Sequence, residues 1–286
     1  MAMLFGWLAI GISSDSALAG WLPKGPIPSY VRLINIIDGK DDRDSILAIG
    51  PALGLSALEI ARIRRVSGYV GCLSPSPSVG TGALFISNRQ ILSVAHIFFE
   101  PTGGKRWNCF FKNQAPDSAK IDLLLDSAIF GASSPKPGSN ADYAIVKLAE
   151  PVAGAEPFPV QVETPVSVGD KLVVITAHPA GMEKEVDNGI PVAQGCSVKR
   201  VPKSTTATSF YRTDCDASGA SSGGMHLSRV GKDLVFRGIT ITTGPWRDEG
   251  LSGAPYNEKA GSVTTALGTD AAILKAGRTL AGDRKP

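Results

Sequence analysis

From Val66 onward the apolar residues fall into short β-rich runs, each bounded by glycine, proline, serine or asparagine, a pattern of strands joined by tight turns. It predicts strands at 69–73, 83–86, 91–95, 109–111, 121–125 and 143–148. A bridge at 150–165 carries four prolines, and the strand rhythm then resumes at 172–176, 192–201, 210–214 and 234–243. Two β halves therefore flank a linker, and 268–276 reads as a closing helix. Ahead of the first half, Ser56 with Glu59 three residues later forms a capping-box pattern, which predicts a short helix into Arg65. The stretch 20–48 mixes Pro23, Pro26 and Pro28 with the charged run Lys40-Asp41-Asp42-Arg43-Asp44 and is expected to lack regular structure, as a linker or propeptide.

Composition narrows the class. The 286 residues include 32 glycines and 20 prolines without a fixed period, which suits many short strands, and 43% hydrophobic residues supply a large core. A formal charge of +3, from 29 basic and 26 acidic side chains, gives no patterned attraction for a nucleic acid. The long apolar run, from Leu4 to Ile12, is too short to cross a bilayer that needs roughly 20 residues. With Ala17-Leu18-Ala19 behind it, residues 1–19 read as an export signal, although no Lys or Arg opens the run. An even number of cysteines, four, agrees with a secreted or periplasmic destination.

Three histidines, His96, His178 and His226, limit the choice of a general base at neutral pH. His96 ends a strand-like segment and follows the glycine-led stretch Gly80-Thr81-Gly82. Asp142 stands directly before an apolar strand, and Gly219-Ala220-Ser221-Ser222-Gly223-Gly224 sets serines in a turn of small residues. His178, before Pro179, and His226, four residues after Ser222, are read as structural.

These three segments, in the order His, Asp, Ser and separated by 46 and 80 residues, resemble the chymotrypsin-like (trypsin-fold) serine peptidases, particularly secreted bacterial members such as the glutamyl endopeptidases. The resemblance spans about 66–274. It implies an all-β fold of two antiparallel six-stranded barrels, at about 66–150 and 166–267 of a peptidase domain 66–276. An N-terminal extension or prosegment at 20–65, a short C-terminal helix and a tail at 277–286 complete the expected organisation. It also implies a cleft in which Ser222 attacks a peptide carbonyl, His96 takes its proton, Asp142 orients the imidazole, and the backbone N–H groups of Ala220 and Ser222 receive the oxyanion. Such chemistry needs a polypeptide substrate and no cofactor or metal. The chain is expected to be a monomer.

A serine hydroxyl is a poor nucleophile until a base removes its proton, and a buried carboxylate fixes the tautomer of that base, so these residue types are what acyl transfer requires. The same turn also fits a Gly-x-Ser-x-Gly elbow with Ser221 as nucleophile. That fold needs a histidine well downstream, and His226 is too near in sequence. Cys196 and Cys215 lie equidistant from a polar turn at 203–208, so a hairpin there sets them opposite each other. That leaves Cys72 and Cys109 for the second bond, and of the three possible pairings this one is expected. No Cys-x-x-Cys or His-x-x-x-His spacing suggests zinc.

The sequence departs from the family at the nucleophile. Ala220 stands where a glycine with positive φ is usual, and Ser221 replaces the aspartate that pairs with a new N-terminus in trypsin-like zymogens, though Arg65-Val66-Ser67-Gly68 faintly resembles a processing site. Asp216 holds the offset at which trypsin-like enzymes read Lys or Arg, while bacterial relatives keep an aspartate there without that preference. Thr240 falls where glutamyl endopeptidases carry a pocket histidine. Specificity stays open. Two rivals to an active peptidase are a catalytically silent relative that binds a protein, motivated by Ala220, and a structural β-domain, in which His96 lies far from Ser222.

Overall fold

The computed structural model describes residues 34–177, 179–182, 189–203, 209–244 and 253–282. The expected leader at 1–19, His178 and most of the turn expected at 203–208 lie outside them. The described chain opens with two short strands, β1 (Ile34–Asn35) and β2 (Asp44–Ser45), and a single helical turn, α1 (Ile46–Ile49). For 34–48, the described part of the stretch 20–48, this corrects the expectation that it lacks regular structure. Ile37, Arg43 and Ile46 are buried, so part of the polar run belongs to the protein's interior.

Helix α2 (Ala57–Val66) forms as its capping box predicts. The Ser56 hydroxyl accepts from the Glu59 N–H and the Glu59 carboxylate accepts from the Ser56 N–H, a cap worth about 1 kcal/mol. Its buried side, Ile60, Ile63 and Val66, packs toward the first barrel. Val66 and Ser67 are fully buried, and the Ser67 hydroxyl donates to the Ile63 carbonyl, so the faint processing site is a helix-to-strand junction inside the fold.

Barrel one consists of β3 (Ser67–Ser74), β4 (Ser78–Phe85), β5 (Ser87–Ser93), β6 (Trp107–Asn113), β7 (Ile121–Phe130) and β8 (Ala144–Leu148). It closes in the order β3-β4-β5-β8-β7-β6. Val70, Leu84, Ile91, Phe111 and Ile145 are completely buried in its core. Cys72 stands directly opposite Cys109 in the β3–β6 register, and the two are bonded.

Barrel two is built from β9 (Lys171–Thr176), β10 (Val192–Arg200), β11 (Phe210–Thr213), β13 (Met225–Val230), β14 (Asp233–Thr243) and β15 (Thr264–Gly268), with the short β12 (Ala217–Ser218) beside it. The ring runs β9-β10-β11-β15-β14-β13 and back to β9, all antiparallel. The Val198–Thr213 pairing carries Cys196 opposite Cys215, and they form the second disulfide. The fold is thus two closed six-stranded barrels. The N-terminal segment adds to barrel two, through β2 on β10 and β1 on β12.

Helix α3 (Ala271–Ala281) outlasts the expected 268–276 and absorbs part of the expected tail. Ile273, Leu274, Gly277 and Leu280 form its buried stripe, Asp270 caps its start, and Gly282 ends it at a left-handed φ of 88°. The helix follows barrel two yet lies on barrel one. The Gly277 carbonyl accepts from the Gln90 side chain, and a Cβ on Gly277 would come within 2.6 Å of the Phe85 ring. Phe85 in turn meets Phe236 of barrel two edge to face, with ring centroids 5.8 Å apart. These contacts pack one half against the other.

Candidate active site

Strand β5 ends at Ser93, and the next residues turn through a short 3-10 helix, Ala95–Phe98, that carries His96. Asp142 lies two residues before β8, and β8 pairs with β5, so the barrel's own hydrogen bonding brings the two side chains together. The Asp142 carboxylate is fully buried and accepts three times: from the His96 N–H at 3.0 Å, the His96 Nδ1 at 2.8 Å and the Gly138 N–H at 2.7 Å. It thus holds both the main chain and the ring of the histidine. A carboxylate can only accept, so Nδ1 carries the proton and the Nε2 lone pair faces away from it.

That lone pair meets Ser222. The Ser222 Oγ lies 3.0 Å from His96 Nε2, across the boundary between the barrels. The reading of the chain as a structural β-domain, which requires these groups to be far apart, is excluded by this distance. Ser221 is turned the other way. It is buried, and its hydroxyl accepts from the Ser218 N–H at 3.1 Å, closing the turn from within.

Ala220 has φ 66°, the left-handed conformation that glycine would supply without strain. The turn therefore adapts to alanine and keeps the shape expected of glycine. Among the described residues, the N–H groups of Ala220 and Ser222 have no hydrogen-bond acceptor. Their carbonyls do have partners, and both come from Thr81: its N–H donates to Ser222 O at 2.8 Å and its hydroxyl to Ala220 O at 3.2 Å. The Thr81 hydroxyl also accepts from the Ala177 N–H, and its carbonyl accepts from Ser93 Oγ. Through Thr81, barrel one thus holds the main chain of the Ser222 turn of barrel two.

The glycines around Thr81 follow from that grip. A Cβ on Gly80 would stand 2.8 Å from Ser222 O, and one on Gly223 would stand 1.9 Å from Thr81 O, so side chains at either position would force the barrels apart. The stretch Gly80-Thr81-Gly82 marked the segment in the sequence, but the role of Thr81 as the clamp was missed. It becomes visible only when both barrels are in place.

The remaining candidates are in closed surroundings. His226 is completely buried, with Nδ1 3.0 Å from Tyr211 Oη and Nε2 2.8 Å from Thr240 Oγ1, and burial lowers its pKa to about 3. Its expected structural role is met, and Thr240 spends its hydroxyl on it. Asp216 is buried beneath the N-terminal segment: its carboxylate accepts from the Ile37 N–H at 2.7 Å and the Asp42 N–H at 2.9 Å. Burial pushes its pKa up to about 6, against the pull of those two donors. Arg43 donates to Ser218 Oγ and pairs with Asp41. The sequence held no signal for this arrangement beyond a charged run that looked solvated. A cavity of about 590 Å³, lined in part by Leu53, Leu172, Asp214 and Arg237, includes none of the three central residues.

Two closed antiparallel barrels with a histidine, a carboxylate and a serine meeting at their junction define the chymotrypsin fold. The sequence matches the family model of the trypsin-like peptidase domain over residues 80–235, more than half of the chain, and the protein belongs to that family. It is a serine-type peptidase. No curated protein matches the chain. Among solved structures, a Glu endopeptidase in complex with MPD superposes with a TM-score of 0.62 at 14% identity, covering 87% of this chain and 100% of that one. The active form of a protease from M. tuberculosis gives 0.54 at 15%, covering 93% and 95%. The protease Anisep from Arthrobacter nicotinovorans gives 0.53 at 14%, covering 76% and 96%. At these identities the likeness is one of fold.

Proposed function

We propose that the protein is a secreted or periplasmic endopeptidase that cleaves polypeptides through an acyl-enzyme. Ser222 is the nucleophile, His96 the general base and then acid, and Asp142 the group that orients the imidazole and stabilises its charged form. The observation that carries this reading is the unbroken line of hydrogen bonds from Asp142 through His96 to Ser222. In the first step the Ser222 oxygen bonds to the carbonyl carbon while its proton passes to His96 Nε2. The tetrahedral intermediate then expels the amine, which takes that proton. Water repeats the sequence on the ester and restores the serine.

The N–H groups of Ala220 and Ser222 are the donors for the oxyanion, and such a donor typically contributes about 3 to 4 kcal/mol. Ala220 motivates the silent-relative reading, and its φ of 66°, the conformation glycine would take there, supports the active one. Export to an oxidising compartment is supported by the two disulfides. The test is hydrolysis of unfolded casein by purified protein: peptides should accumulate with the wild type and not with Ser222→Ala. Equal hydrolysis by both would refute the scheme.

A further inference from the structure

The nucleophile turn is approached by two short stretches, and one N-terminal segment touches both. On one side β12 leads from Asp216 toward Ala220 and Ser222, and β1 pairs with it, Ile34 opposite Ser218 and Asn35 opposite Ala217. On the other side β14 is tied to the same turn by Gly223 N–H to Thr240 O and Thr240 N–H to Gly224 O. Three residues further along β14, Thr243 Oγ1 accepts from the Asn35 side chain at 2.9 Å. Asn35 therefore bridges the two walls that diverge from Ser222. A Cβ on Gly244 would come within 3.0 Å of its amide, so this bridge is close-fitting.

Charge at this end of the cleft is committed within the chain. Both oxygens of Asp216 are taken by main-chain N–H groups, of Ile37 and Asp42. The buried Arg43 guanidinium gives Nε and Nη2 to Asp41 and Nη1 to Ser218 Oγ. A substrate Lys or Arg would have to compete with the Ile37 and Asp42 N–H groups to reach Asp216, and a substrate Glu would have to take Arg43 from Asp41. The first leaves the buried Ile37 N–H without its acceptor, and the second breaks a two-point pair on a buried guanidinium.

We infer that residues 34–43 are a fixed wall of the specificity pocket, and that the enzyme acylates on the carbonyl of small uncharged residues, not of Lys, Arg or Glu. Asp216 is then a positioning residue for the chain's own N-terminal segment. This rests on the peptidase reading above and specifies the substrate of the same site.

The test uses full-length protein and peptidyl diphenyl phosphonates that differ only in the residue at the reactive position, Ala, Val, Lys, Glu or Phe, beside a general fluorophosphonate. Labelling of Ser222 should be fastest for Ala and Val, by about tenfold or more over Lys and Glu. Asp216→Asn should lower the melting temperature and leave the Ala-to-Lys labelling ratio within about threefold of the wild type. Fastest labelling by the Lys, Glu or Phe reagent, or a Lys rate that collapses selectively in Asp216→Asn, would overturn the inference while the peptidase reading stood. Failure of the general fluorophosphonate to label would remove both. If Asp216→Asn does not fold, the wild-type rates decide alone.

Discussion

Asp142 and Asp216 are two buried carboxylates flanking one cleft, and each accepts from two main-chain N–H groups. They differ in the further partner. Asp142 reaches an imidazole whose other nitrogen meets a serine, while among the described residues the Asp216 carboxylate accepts only from the segment that covers it. Burial and saturation alone therefore say little about what a carboxylate does. The group beyond it decides, and here that group is reactive at one end of the cleft and inert main chain at the other.

The largest expected effects fall on the reactive end. His96→Ala and Ser222→Ala should each lower kcat by about 10⁴-fold or more, measured on any peptide the wild type cleaves, and the double variant should be little worse than either. Asp142→Asn should cost about 10⁴-fold in kcat, because an amide cannot serve every donor that the carboxylate serves and stabilises the imidazolium poorly. A loss under tenfold in Asp142→Asn would break the contrast with Asp216.

Asp216→Asn should act on stability instead. One oxygen acceptor is replaced by a donor facing a main-chain N–H, a change of about 1 to 3 kcal/mol read by chemical denaturation at pH 7. The sign with pH is fixed by the raised pKa. The folded carboxyl holds its proton up to about pH 6 and the unfolded one only to about 3.8, so its stabilising contribution is complete below the lower value and is lost as pH rises through the higher. The wild type should gain on Asp216→Asn between pH 6 and pH 4. His226 works in the opposite sense: its neutral burial stabilises above pH 6.5, and that contribution is lost as pH falls toward about 3. Tyr211→Phe, which removes its Nδ1 partner, should cost about 1 kcal/mol.

The smallest effect is expected at Ala220. Glycine there relieves a left-handed strain of roughly 1 to 2 kcal/mol but adds freedom to the unfolded chain, so Ala220→Gly should shift stability by under about 1 kcal/mol. A rate change above about tenfold would show that the turn is not already shaped as the family shapes it.

Most of the barrels could be read from the sequence because their strands are apolar runs cut by turn residues. Strand β15 could not, since Thr264 and Thr265 are polar by type and buried in fact. The histidine, carboxylate and serine were legible because few residues in the chain could perform those roles. The segment 34–45 was misread because Arg43 looks like a solvent-facing charge, as Asp41 and Asp42 beside it are, and yet is buried. Their ordered state depends on Asp216 and Ser218, about 175 residues away, which no local pattern encodes. Thr81 was missed for the same reason: the partners that make it a clamp, Ala177, Ala220 and Ser222, lie in the other barrel.

Intact-mass analysis after fluorophosphonate treatment, with the adduct located by peptide mapping, tests the central claim most directly. A single adduct on Ser222 that disappears in His96→Ala is the predicted result. An adduct on Ser221, or labelling of Ser222 that is unchanged when His96 is removed, would contradict it.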